Sequence, residues 1–329
     1  MSMPWDGIPK AELHVHLEGT AGPDLVRRLA ARHGVRLPDE LFTDAGAFHW
    51  TDFRHFLRAY DMAAGVVRTA EDYRDVTRDY LLRCAAEGAI YVEVMASPDH
   101  AAAAGLDLAG MVDGVAAGIG EARAASGIEA RVILVCLRHG GPDRALAVAR
   151  AAARCRHPLV TGFGMAGDEA VGHPREFAPA FRTAAEAGLG CTVHAGEACG
   201  ADSVRAALAE LPVGRLGHGV RAAEDPALVD MLAARGTVLE VCPTSNVATL
   251  VYPDYAAHPL RRLKDAGVPV TLNSDDPPYF GTTIGREYAV AATRFGFTPD
   301  ELRAATRTAV EAAFVDEPTR AALLTRVAA

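Results

Sequence analysis

The amino-acid sequence predicts a (β/α)8 barrel, the TIM-barrel fold, on the basis of three observations. Eight short strand-like runs follow one another along the 329 residues, and longer helix-like segments separate them. Several of the runs are continuously apolar, which is typical of parallel strands that are buried on both faces. A barrel of this kind typically takes roughly 250 residues, so the chain has room for one barrel and an insertion.

The strand-like runs define the order of the predicted barrel. They are AELHVHL (11–17), AIYVEVMA (89–96), ARVILVCL (130–137), LVTGFGMAG (159–167), GCTVHAGE (190–197), RLGHGV (215–220), TVLEVCP (237–243) and PVTLNSDD (269–276). Residues 20–88 separate the first two runs and have wholly helix-like patterns, so we predict a helical insertion over the barrel mouth. No repeat or flexible linker interrupts the chain, and we predict a single domain over residues 1–329.

Helices are predicted between the strands from apolar residues that recur with a period of about 3.6. The clearest examples lie at 107–125, 174–188 and 225–236. The last of these opens with Pro226, whose fixed φ suits the first helical position, and closes with Gly236, a residue type favoured just beyond a helix. These segments predict the helices that alternate with the strands.

Composition and charge limit the class of protein. Half of the residues are hydrophobic and the formal net charge is −9, which is a globular and acidic composition. Nucleic acids and anionic membranes bind clustered Lys and Arg, so we expect neither as a partner. The N terminus has no apolar signal segment, no run approaches a membrane span, and the six cysteines form no C-x-x-C pair. We therefore expect reduced thiols and a cytoplasmic location, and the oligomeric state stays open.

The first run contains two histidines, His14 and His16, at positions i and i+2. Residues two apart on a strand face the same way. If the apolar Leu13, Val15 and Leu17 face the helices, both imidazoles face the barrel interior. A single buried histidine is more often a core residue than a ligand, but a pair on the first strand favours a site.

Further polar residues stand at the carboxyl ends of later strands, where barrel enzymes build their active sites. His194 is in the fifth run, His218 is in the sixth, and Asp275 and Asp276 end the eighth. Three histidines and a carboxylate that converge there form a site suited to Zn²⁺ or a similar first-row ion. The alternative is that these are unrelated polar residues at strand ends. No lysine ends the fourth run to bridge two ions, so we expect one ion per chain.

Glu197 lies three residues beyond His194, after a glycine that permits a tight turn. A carboxylic acid at this point stays protonated if it is desolvated, and general acid catalysis at neutral pH requires such a group. The alternative is a glutamate at a helix N terminus that interacts with the helix dipole. With the metal-ligand set present, we favour the acid role.

Two other motifs at strand ends carry weaker signals. The glycines of GMAGDE (164–169) indicate a turn or a close approach of the backbone to a ligand. In CPTSN (242–246), Pro243 ends the strand, and we interpret Ser245 and Asn246 as caps of the next helix.

Together these motifs resemble the adenosine/adenine deaminase family of the metal-dependent amidohydrolases. The resemblance covers roughly residues 8–320, and the motifs follow in the family's order. They are ELHVHLEG, YVEVMASP, GMAGDE, TVHAGE, GHGVRAAEDP, LEVCPTSN and LNSDDPPYFGTT. The resemblance implies a mononuclear zinc enzyme on a (β/α)8 barrel that acts on a small 6-aminopurine.

The resemblance also implies roles for particular positions. The implied metal ligands are His14, His16, His194 and Asp275, and the implied catalytic residues are Glu197, His218 and Asp275. The implied substrate-binding residues are His16, Glu18, Gly167 and Asp276. In this assignment Glu197 protonates N1 of the purine, and His218 orients or deprotonates the attacking water. Asp276 meets N7, and the backbone N–H of Gly167 meets N3.

The segment TDFRHFLRAYDMAAG (51–65) is similar to the family's lid. Its apolar residues predict either a wall over the substrate or ordinary core packing, and the two interpretations are equally good. The residues concerned are Phe53, Phe56, Leu57 and Tyr60.

The substrate is less well determined than the chemistry. Glu18 stands where many adenosine deaminases have an Asp that contacts the 5′ end of the ribose, and Met95 replaces an Arg common in animal relatives. Glu at this point also occurs in relatives that act on free adenine or on 6-amino-6-deoxyfutalosine. Because GMAGDE and CPTSN are more similar to nucleoside-type members, we predict deamination of adenosine and 2′-deoxyadenosine. Free adenine and 6-amino-6-deoxyfutalosine are the alternatives, and a non-catalytic binding protein is a remote one.

Overall fold

The computed structural model of the protein describes residues 3–328. Eight parallel strands form one sheet, in which each strand lies beside its neighbours in the sequence. The strands are Lys10–His16 (β1), Ala89–Ala96 (β2), Glu129–Leu137 (β3), Val160–Ala166 (β4), Gly190–Ala195 (β5), Arg215–His218 (β6), Val238–Val241 (β7) and Val270–Leu272 (β8). The predicted (β/α)8 barrel is confirmed, and each predicted strand is present with slightly different ends.

The barrel closes between β8 and β1, although β8 has only 3 residues. The N–H of His16 donates to the carbonyl oxygen of Asp275 at 3.0 Å, and the N–H of Asp275 donates to the carbonyl oxygen of His14 at 3.2 Å. The side chain of Asn273 extends the closure by accepting from the N–H of Leu13 at 2.8 Å. The closure therefore places three of the predicted metal ligands side by side.

Helices surround the barrel and alternate with its strands. The α-helices of the described residues are Pro23–His33 (α1), Phe53–Ala64 (α2), Ala70–Ala86 (α3), Pro98–Ala103 (α4), Leu108–Ser126 (α5), Gly141–Arg154 (α6), Pro174–Glu186 (α7), Ala201–Glu210 (α8), Pro226–Arg235 (α9), Pro243–Ala248 (α10), Leu260–Asp265 (α11), Pro277–Phe280 (α12), Ile284–Phe295 (α13), Pro299–Ala312 (α14) and Glu317–Ala328 (α15). Short 3-10 helices lie at Glu18–Thr20, Asp39–Leu41, Arg138–Gly140 and Val220–Glu224. The three helices that the sequence predicts most clearly are confirmed as α5, α7 and α9.

The insertion after β1 is helical only in part. It contains α1, α2 and α3 as predicted, but residues 34–52 form a 3-10 turn and an antiparallel bridge between Phe42 and Phe48. Gly46, at φ +84°, makes the turn of this bridge, and the guanidinium of Arg27 lies 4.0 Å from the ring centroid of Phe42. The prediction of a wholly helical insertion is wrong here, because a turn glycine and an aromatic pair favour the bridge. The assignment of the chain to a single domain stays a prediction.

The barrel interior changes character from one end to the other. Near the amino ends of the strands, Phe314 plugs the barrel so closely that a Cβ added to Gly190 would lie 2.2 Å from its ring. The guanidinium of Arg215 lies 3.7 Å from the Phe314 ring centroid and pairs with Glu93 and Glu240 at 2.6 Å each. At the carboxyl ends the interior holds histidines and carboxylates, so this is the end at which chemistry is possible.

Helices α3 and α5 pack closely because glycine lines their contact. A Cβ added to Gly114 would lie 2.2 Å from the carbonyl oxygen of Ala70, whereas one added to Gly120 on the same helix meets nothing within 4 Å. We expect Gly114→Ala to lower the free energy of unfolding by about 1–3 kcal/mol through overpacking. Gly120→Ala should raise it by about 0.5–1 kcal/mol, because alanine is the better helix former. Urea unfolding of both variants checks this pair, and a Gly114→Ala protein as stable as Gly120→Ala would contradict it.

The structure bears on two further predictions. Among residues 3–328, no helix is both long enough and apolar enough to cross a membrane. The six cysteines are free thiols; Cys84, Cys136, Cys191 and Cys242 are buried, and the other two are partly exposed. The cytoplasmic location stays a prediction.

Candidate metal centre and substrate cavity

Three imidazoles and a carboxylate meet at the carboxyl end of the barrel. His14 and His16 come from β1, His194 comes from β5, and Asp275 follows β8. Nε2 of His194 lies 3.1 Å from Nε2 of His14 and 3.2 Å from Nε2 of His16. Oδ1 of Asp275 lies 3.5 Å and 3.3 Å from the same two nitrogens of His14 and His16. The structure therefore brings together the four side chains that the sequence assigns as metal ligands.

Hydrogen bonds on the other ring nitrogens orient these imidazoles. Nδ1 of His194 donates to the carbonyl oxygen of Met165 at 3.0 Å, and Nδ1 of His14 donates to Oε2 of Glu240 at 2.9 Å. Because each Nδ1 carries the hydrogen, a neutral ring presents a lone pair on Nε2. Two lone pairs that face each other at 3.1 Å repel unless a cation lies close to both. The donor set therefore fits a first-row metal ion such as Zn²⁺.

The charges around the cluster also favour a cation. Burial, together with the neighbouring histidines, lowers the pKa of His194 well below its usual value, so that ring is neutral. Although burial opposes the shift, hydrogen bonds to Asp275 and Glu240 raise the pKa of His14 to about 10. The two carboxylates thus hold one positive charge at the cluster, and a bound metal ion supplies that charge without a proton on the ring.

Glu240 of β7 supports His14, and the sequence analysis did not identify it. Its carboxylate also accepts from Oγ1 of Thr192 at 2.9 Å and from Nε of Arg215 at 2.6 Å. Although burial opposes the shift, the charge of Arg215 and the bond to His14 lower the pKa of Glu240 to about 2, so it is a carboxylate. The available signal was an acid inside the apolar run TVLEVC, because a buried strand carries a charge only beside a partner.

Glu197 and His218 lie beside the cluster. Glu197 is 5% exposed, and burial followed by the charges of Asp275 and Glu169 raises its pKa well above the usual value. Nε2 of His218 lies 3.6 Å from Oε2 of Glu197 and 3.9 Å from Oδ2 of Asp275. Burial lowers the pKa of His218 to about 3. The site therefore holds a protonated acid and a neutral imidazole at neutral pH.

A chain of hydrogen bonds determines which nitrogen of His218 carries the hydrogen. The N–H of Leu260 donates to Nδ1 of His258 at 3.2 Å, so His258 donates from Nε2 to Oδ1 of Asn246 at 3.1 Å. The amide nitrogen of Asn246 then donates to Nδ1 of His218 at 3.0 Å. His218 therefore carries its hydrogen on Nε2, which has no hydrogen-bond partner among residues 3–328 and faces the cluster.

The prediction that Ser245 and Asn246 cap the helix after β7 is wrong. Helix α10 begins at Pro243, so both residues lie inside its first turn and neither makes a side-chain cap. Because the proline starts the helix directly at the strand end, the side chains that follow it reach the barrel interior. Oγ of Ser245 donates to Oδ2 of Asp275 at 2.6 Å, and Asn246 contacts His218. CPTSN is therefore part of the site.

One buried carboxylate, Glu169 of the GMAGDE motif, holds the loop that carries Glu197. It accepts from the N–H groups of Gly196 at 2.6 Å, Glu197 at 3.0 Å and Cys199 at 2.8 Å, and from Oγ of Ser203 at 2.5 Å. The sequence pattern indicates the glycines of this motif but not its glutamate. Its partners lie on the next loop of the barrel, and a single sequence contains no signal that pairs them.

Two residues of the site have strained backbones. His218 has φ +57° and Asp275 has φ +63°, in the left-handed region that residues with a Cβ rarely adopt. Such conformations cost about 1–3 kcal/mol each and persist only where the surrounding structure enforces them. Gly167, which adopts φ +97° just beyond β4, presents its backbone to the same space. Strain therefore concentrates at the strand ends that form the site.

A cavity of about 640 Å³, including its open mouth, leads to the cluster. The lid helix α2 forms one wall of this cavity with Phe53, Phe56, Leu57 and Tyr60. The ring of Phe56 also packs against Phe280, with 5.1 Å between centroids. Both interpretations of this apolar stripe are therefore correct, because the helix is a cavity wall on one side and core on the other.

Asp276, Gly167 and Glu197 line this cavity together with the histidines. Oδ1 of Asp276 is buried and has no hydrogen-bond partner in the described part of the chain. Burial, followed by the charge of Asp275, raises the pKa of Asp276 well above its usual value, so the group is protonated. A buried polar atom that is left unpaired at a cavity wall is a position for a ligand atom.

Glu18, which the sequence analysis assigns to substrate binding, lies outside this wall. It is 2% exposed, and its carboxylate accepts from the hydroxyl groups of Tyr60 at 3.4 Å and Tyr73 at 3.2 Å. It also accepts from the N–H of Ser97 at 3.0 Å. Tyr60 and Ser97 line the cavity, whereas Glu18 does not. Its role in substrate binding stays a prediction.

A (β/α)8 barrel that gathers histidines and aspartate at the carboxyl ends of its strands defines an enzyme of the amidohydrolase type. Comparison with known proteins specifies the family, since the sequence profile described as adenosine deaminase matches residues 9–329. The chain belongs to the adenosine deaminase family, whose members hydrolyse C–N bonds, and the resemblance noted in the sequence is confirmed.

Three similar proteins place the chain within the family. An adenine deaminase of Chelativorans sp. (strain BNC1) is 55% identical over 318 residues, which is 97% of each chain. The crystal structure of an adenine deaminase from Arthrobacter aurescens is 34% identical, with a TM-score of 0.90 over 98% of both chains. An amidohydrolase from Burkholderia ambifaria, crystallised with bound Zn, is 28% identical, with a TM-score of 0.89 over 99% of this chain and 91% of that one.

Proposed function

We propose that the protein hydrolyses free adenine to hypoxanthine and ammonia at a single zinc ion. Two of the three similar proteins described above are adenine deaminases, and one of them is 55% identical to this chain. The prediction of adenosine as the main substrate is not confirmed, and the alternative of free adenine has the better support. The similarity of GMAGDE and CPTSN to nucleoside-type members favours adenosine, whereas the names of these relatives favour free adenine.

The observation that carries this proposal is the pairing of Glu18. Many adenosine deaminases have a shorter Asp at this position, and that residue contacts the ribose. Here the carboxylate is already bound by Tyr60, Tyr73 and Ser97. A ribose hydroxyl that reached it would displace one of these donors, and a buried donor without a partner costs about 1–3 kcal/mol. This pairing supports a cavity built for a base without a sugar.

In this proposal His14, His16, His194 and Asp275 hold the zinc ion. When bound, zinc lowers the pKa of a water molecule from about 15.7 to about 7 and so supplies a nucleophile at neutral pH. Met165 and Glu240 orient His194 and His14 toward the ion through their Nδ1 atoms. Such partners set the orientation and basicity of a metal-binding histidine.

The purine is held by three groups that donate to its ring nitrogens. Glu197 donates its proton to N1, which draws electrons from C6 and makes that carbon electrophilic. The protonated Asp276 donates to N7, and the backbone N–H of Gly167 donates to N3. These contacts orient the ring so that C6 faces the imidazole cluster.

The remaining side chains handle the attacking water. His218 carries its hydrogen on Nε2, so it donates to the water oxygen and orients it; this favours orientation over deprotonation. Asp275 accepts the proton of the water and passes it to the 6-amino group, which leaves as ammonia. The hydrogen that remains on the oxygen at C6 replaces the proton that Glu197 gave to N1, so one water enters, one ammonia leaves and the ring keeps the oxygen at C6.

An ultraviolet assay of the purified protein, with ammonia release measured in parallel, tests this proposal. The substrates are adenine, adenosine, 2′-deoxyadenosine and 6-amino-6-deoxyfutalosine. We expect kcat/KM for adenine to exceed that for adenosine by at least about 10²-fold, because a sugar leaves buried donors unpaired. Glu18→Asp shortens the carboxylate and should reduce this preference. A higher kcat/KM for adenosine or for 6-amino-6-deoxyfutalosine would contradict the proposal.

A further inference from the structure

The proposed contacts determine which wall of the cavity faces N9 of a bound adenine. N1 lies at Glu197, N3 at Gly167 and N7 at Asp276, and in a purine N9 stands on the side between N3 and N7. Gly167 follows β4 and Asp276 follows β8, so the ends of β1, β2 and β3 fill the arc between them. The residues that line this arc, with the lid above it, include Tyr60, Asp61, Ser97, His100, Leu137 and His139.

His100 of α4 has one unpaired nitrogen on this arc. Its side chain is 12% exposed, and its Nε2 lies 2.9 Å from Oδ1 of Asp61 on the lid helix α2. Its Nδ1 is buried and has no hydrogen-bond partner among the described residues. A carboxylate only accepts, so Nε2 carries the hydrogen, and Nδ1 of the neutral ring is an acceptor. A buried acceptor of this kind requires a donor from a ligand.

We propose that Nδ1 of His100 accepts a hydrogen bond from the N9–H of free adenine, and that His100 and Asp61 thereby select the unsubstituted base. In the cavity N1, N3 and N7 all accept from the protein, so N9 is the ring nitrogen that carries the hydrogen. A nucleoside or a 9-alkylated purine has carbon at N9 and cannot donate. This inference rests on the proposed function and adds the residues that detect the missing sugar.

Asp61 fixes the tautomer of His100 that this recognition needs, because its carboxylate holds the hydrogen on Nε2. Although burial opposes the shift, the bond to Asp61 and the charges of Glu18, Asp61 and Asp99 raise the pKa of His100. A raised pKa favours the protonated ring, which cannot accept from N9–H, so the assays are run at alkaline pH, about 8.5, where the neutral ring gains population. Asp61 itself is 56% exposed, so its replacement does not disturb the core.

His139 supplies a matched control, because it is the other imidazole that lines this arc. A Cβ added to Gly167 would lie 3.3 Å from its Nδ1, so the ring stands close to the proposed N3 contact. In contrast to His100, however, His139 is exposed, and water can satisfy its nitrogens. A comparison of His100→Ala with His139→Ala therefore distinguishes the loss of a buried acceptor from the loss of a solvated one.

The test compares adenine with 9-methyladenine, which lacks only the N9 hydrogen. We expect the ratio of their kcat/KM values to fall by about 10- to 100-fold in His100→Ala, and to stay near the wild-type ratio in His139→Ala. His100→Phe keeps the bulk of the ring but has no acceptor. It should lower the ratio by lowering kcat/KM for adenine, because the phenyl ring leaves no new room for the methyl group of 9-methyladenine. Asp61→Asn keeps an acceptor for Nε2 and should preserve the ratio better than Asp61→Ala.

The outcomes separate this inference from the proposed function. If 9-methyladenine is not turned over, its inhibition constant against adenine supplies the comparison, and metal content shows that each variant is intact. A ratio that is unchanged in His100→Phe and Asp61→Ala overturns the inference, as does a fall in His139→Ala alone. A wild-type protein that does not deaminate adenine overturns the proposed function. If the wild-type protein prefers adenine and His100→Phe keeps the wild-type ratio of kcat/KM values for adenine and 9-methyladenine, only the inference is overturned.

Discussion

Glu197→Gln is expected to lower kcat for adenine deamination by about 10²–10⁴-fold, the usual contribution of a general acid. Glutamine keeps the size of the side chain, and its amide can still donate a hydrogen bond to N1, but it has no acidic proton to transfer. KM and metal content should therefore change little. Steady-state kinetics on protein of measured metal content check this result.

The raised pKa of Glu197 adds a test on the wild-type protein. Burial and the charges of Asp275 and Glu169 keep the acid protonated above its usual range. Only the protonated form can donate, so kcat should fall as pH rises through this pKa, and the fall should be absent from the residual activity of Glu197→Gln. Glu210→Gln, at an exposed position at the end of α8, is the matched control. Undiminished turnover by Glu197→Gln would remove Glu197 from the mechanism.

The barrel could be predicted because its signals are local. Each strand is a short apolar run, and each of the clearest helices has apolar periodicity and a glycine at or near its end. The metal-ligand positions could be predicted for a related reason, because the carboxyl ends of all the parallel strands lie at the same end of the barrel. His14 and His16 share one side of β1 through their spacing alone. Residues 34–52 were predicted less well because Phe42 and Phe48 pair across a turn that the helical pattern does not show.

The supporting residues could not be predicted because they depend on side-chain contacts between separate loops. Glu169 stands one βα loop before the N–H groups that it binds, and Ser245 lies 30 positions from Asp275. The spacing of either residue indicates nothing about its partner. Glu240 is different, because a lone acid in an apolar strand already requires a buried partner. Inward-facing acids on predicted strands are therefore the supporting residues that a sequence can best indicate.

The choice between adenosine and free adenine met the same limit. The sequence shows Glu18 and the length of its side chain, but its hydrogen-bond partners come from α2, α3 and the end of β2. Once those partners are known, the paired carboxylate supports the proposal of a cavity for a base without a sugar. The proposed specificity therefore depends on which polar groups are already paired before the substrate arrives.

Removal of the proposed zinc ion is expected to abolish turnover and to lower thermal stability. Without the ion, Nε2 of His194 lies 3.1 Å from Nε2 of His14 and 3.2 Å from Nε2 of His16, and only the proton held on His14 offsets their repulsion. A ligand that binds only the folded state stabilises it by about 4 kcal/mol at a thousand times its Kd, so the melting temperature should fall on chelation. Activity and melting temperature should both return when Zn²⁺ is added back.

A variant separates loss of the ion from a side effect of the chelator. His194→Ala removes the nitrogen that contacts both other imidazoles, so elemental analysis should find it depleted of zinc and assays should find it inactive. His49→Ala, at an exposed position in the insertion, should keep both. Full turnover by metal-free protein would show that these side chains converge for another purpose, and stoichiometric zinc in His194→Ala would remove His194 from the ligand set. Because Glu240 would still hold His14 in place, the second result would direct the search to His14, His218 and Asp275 as the ligands.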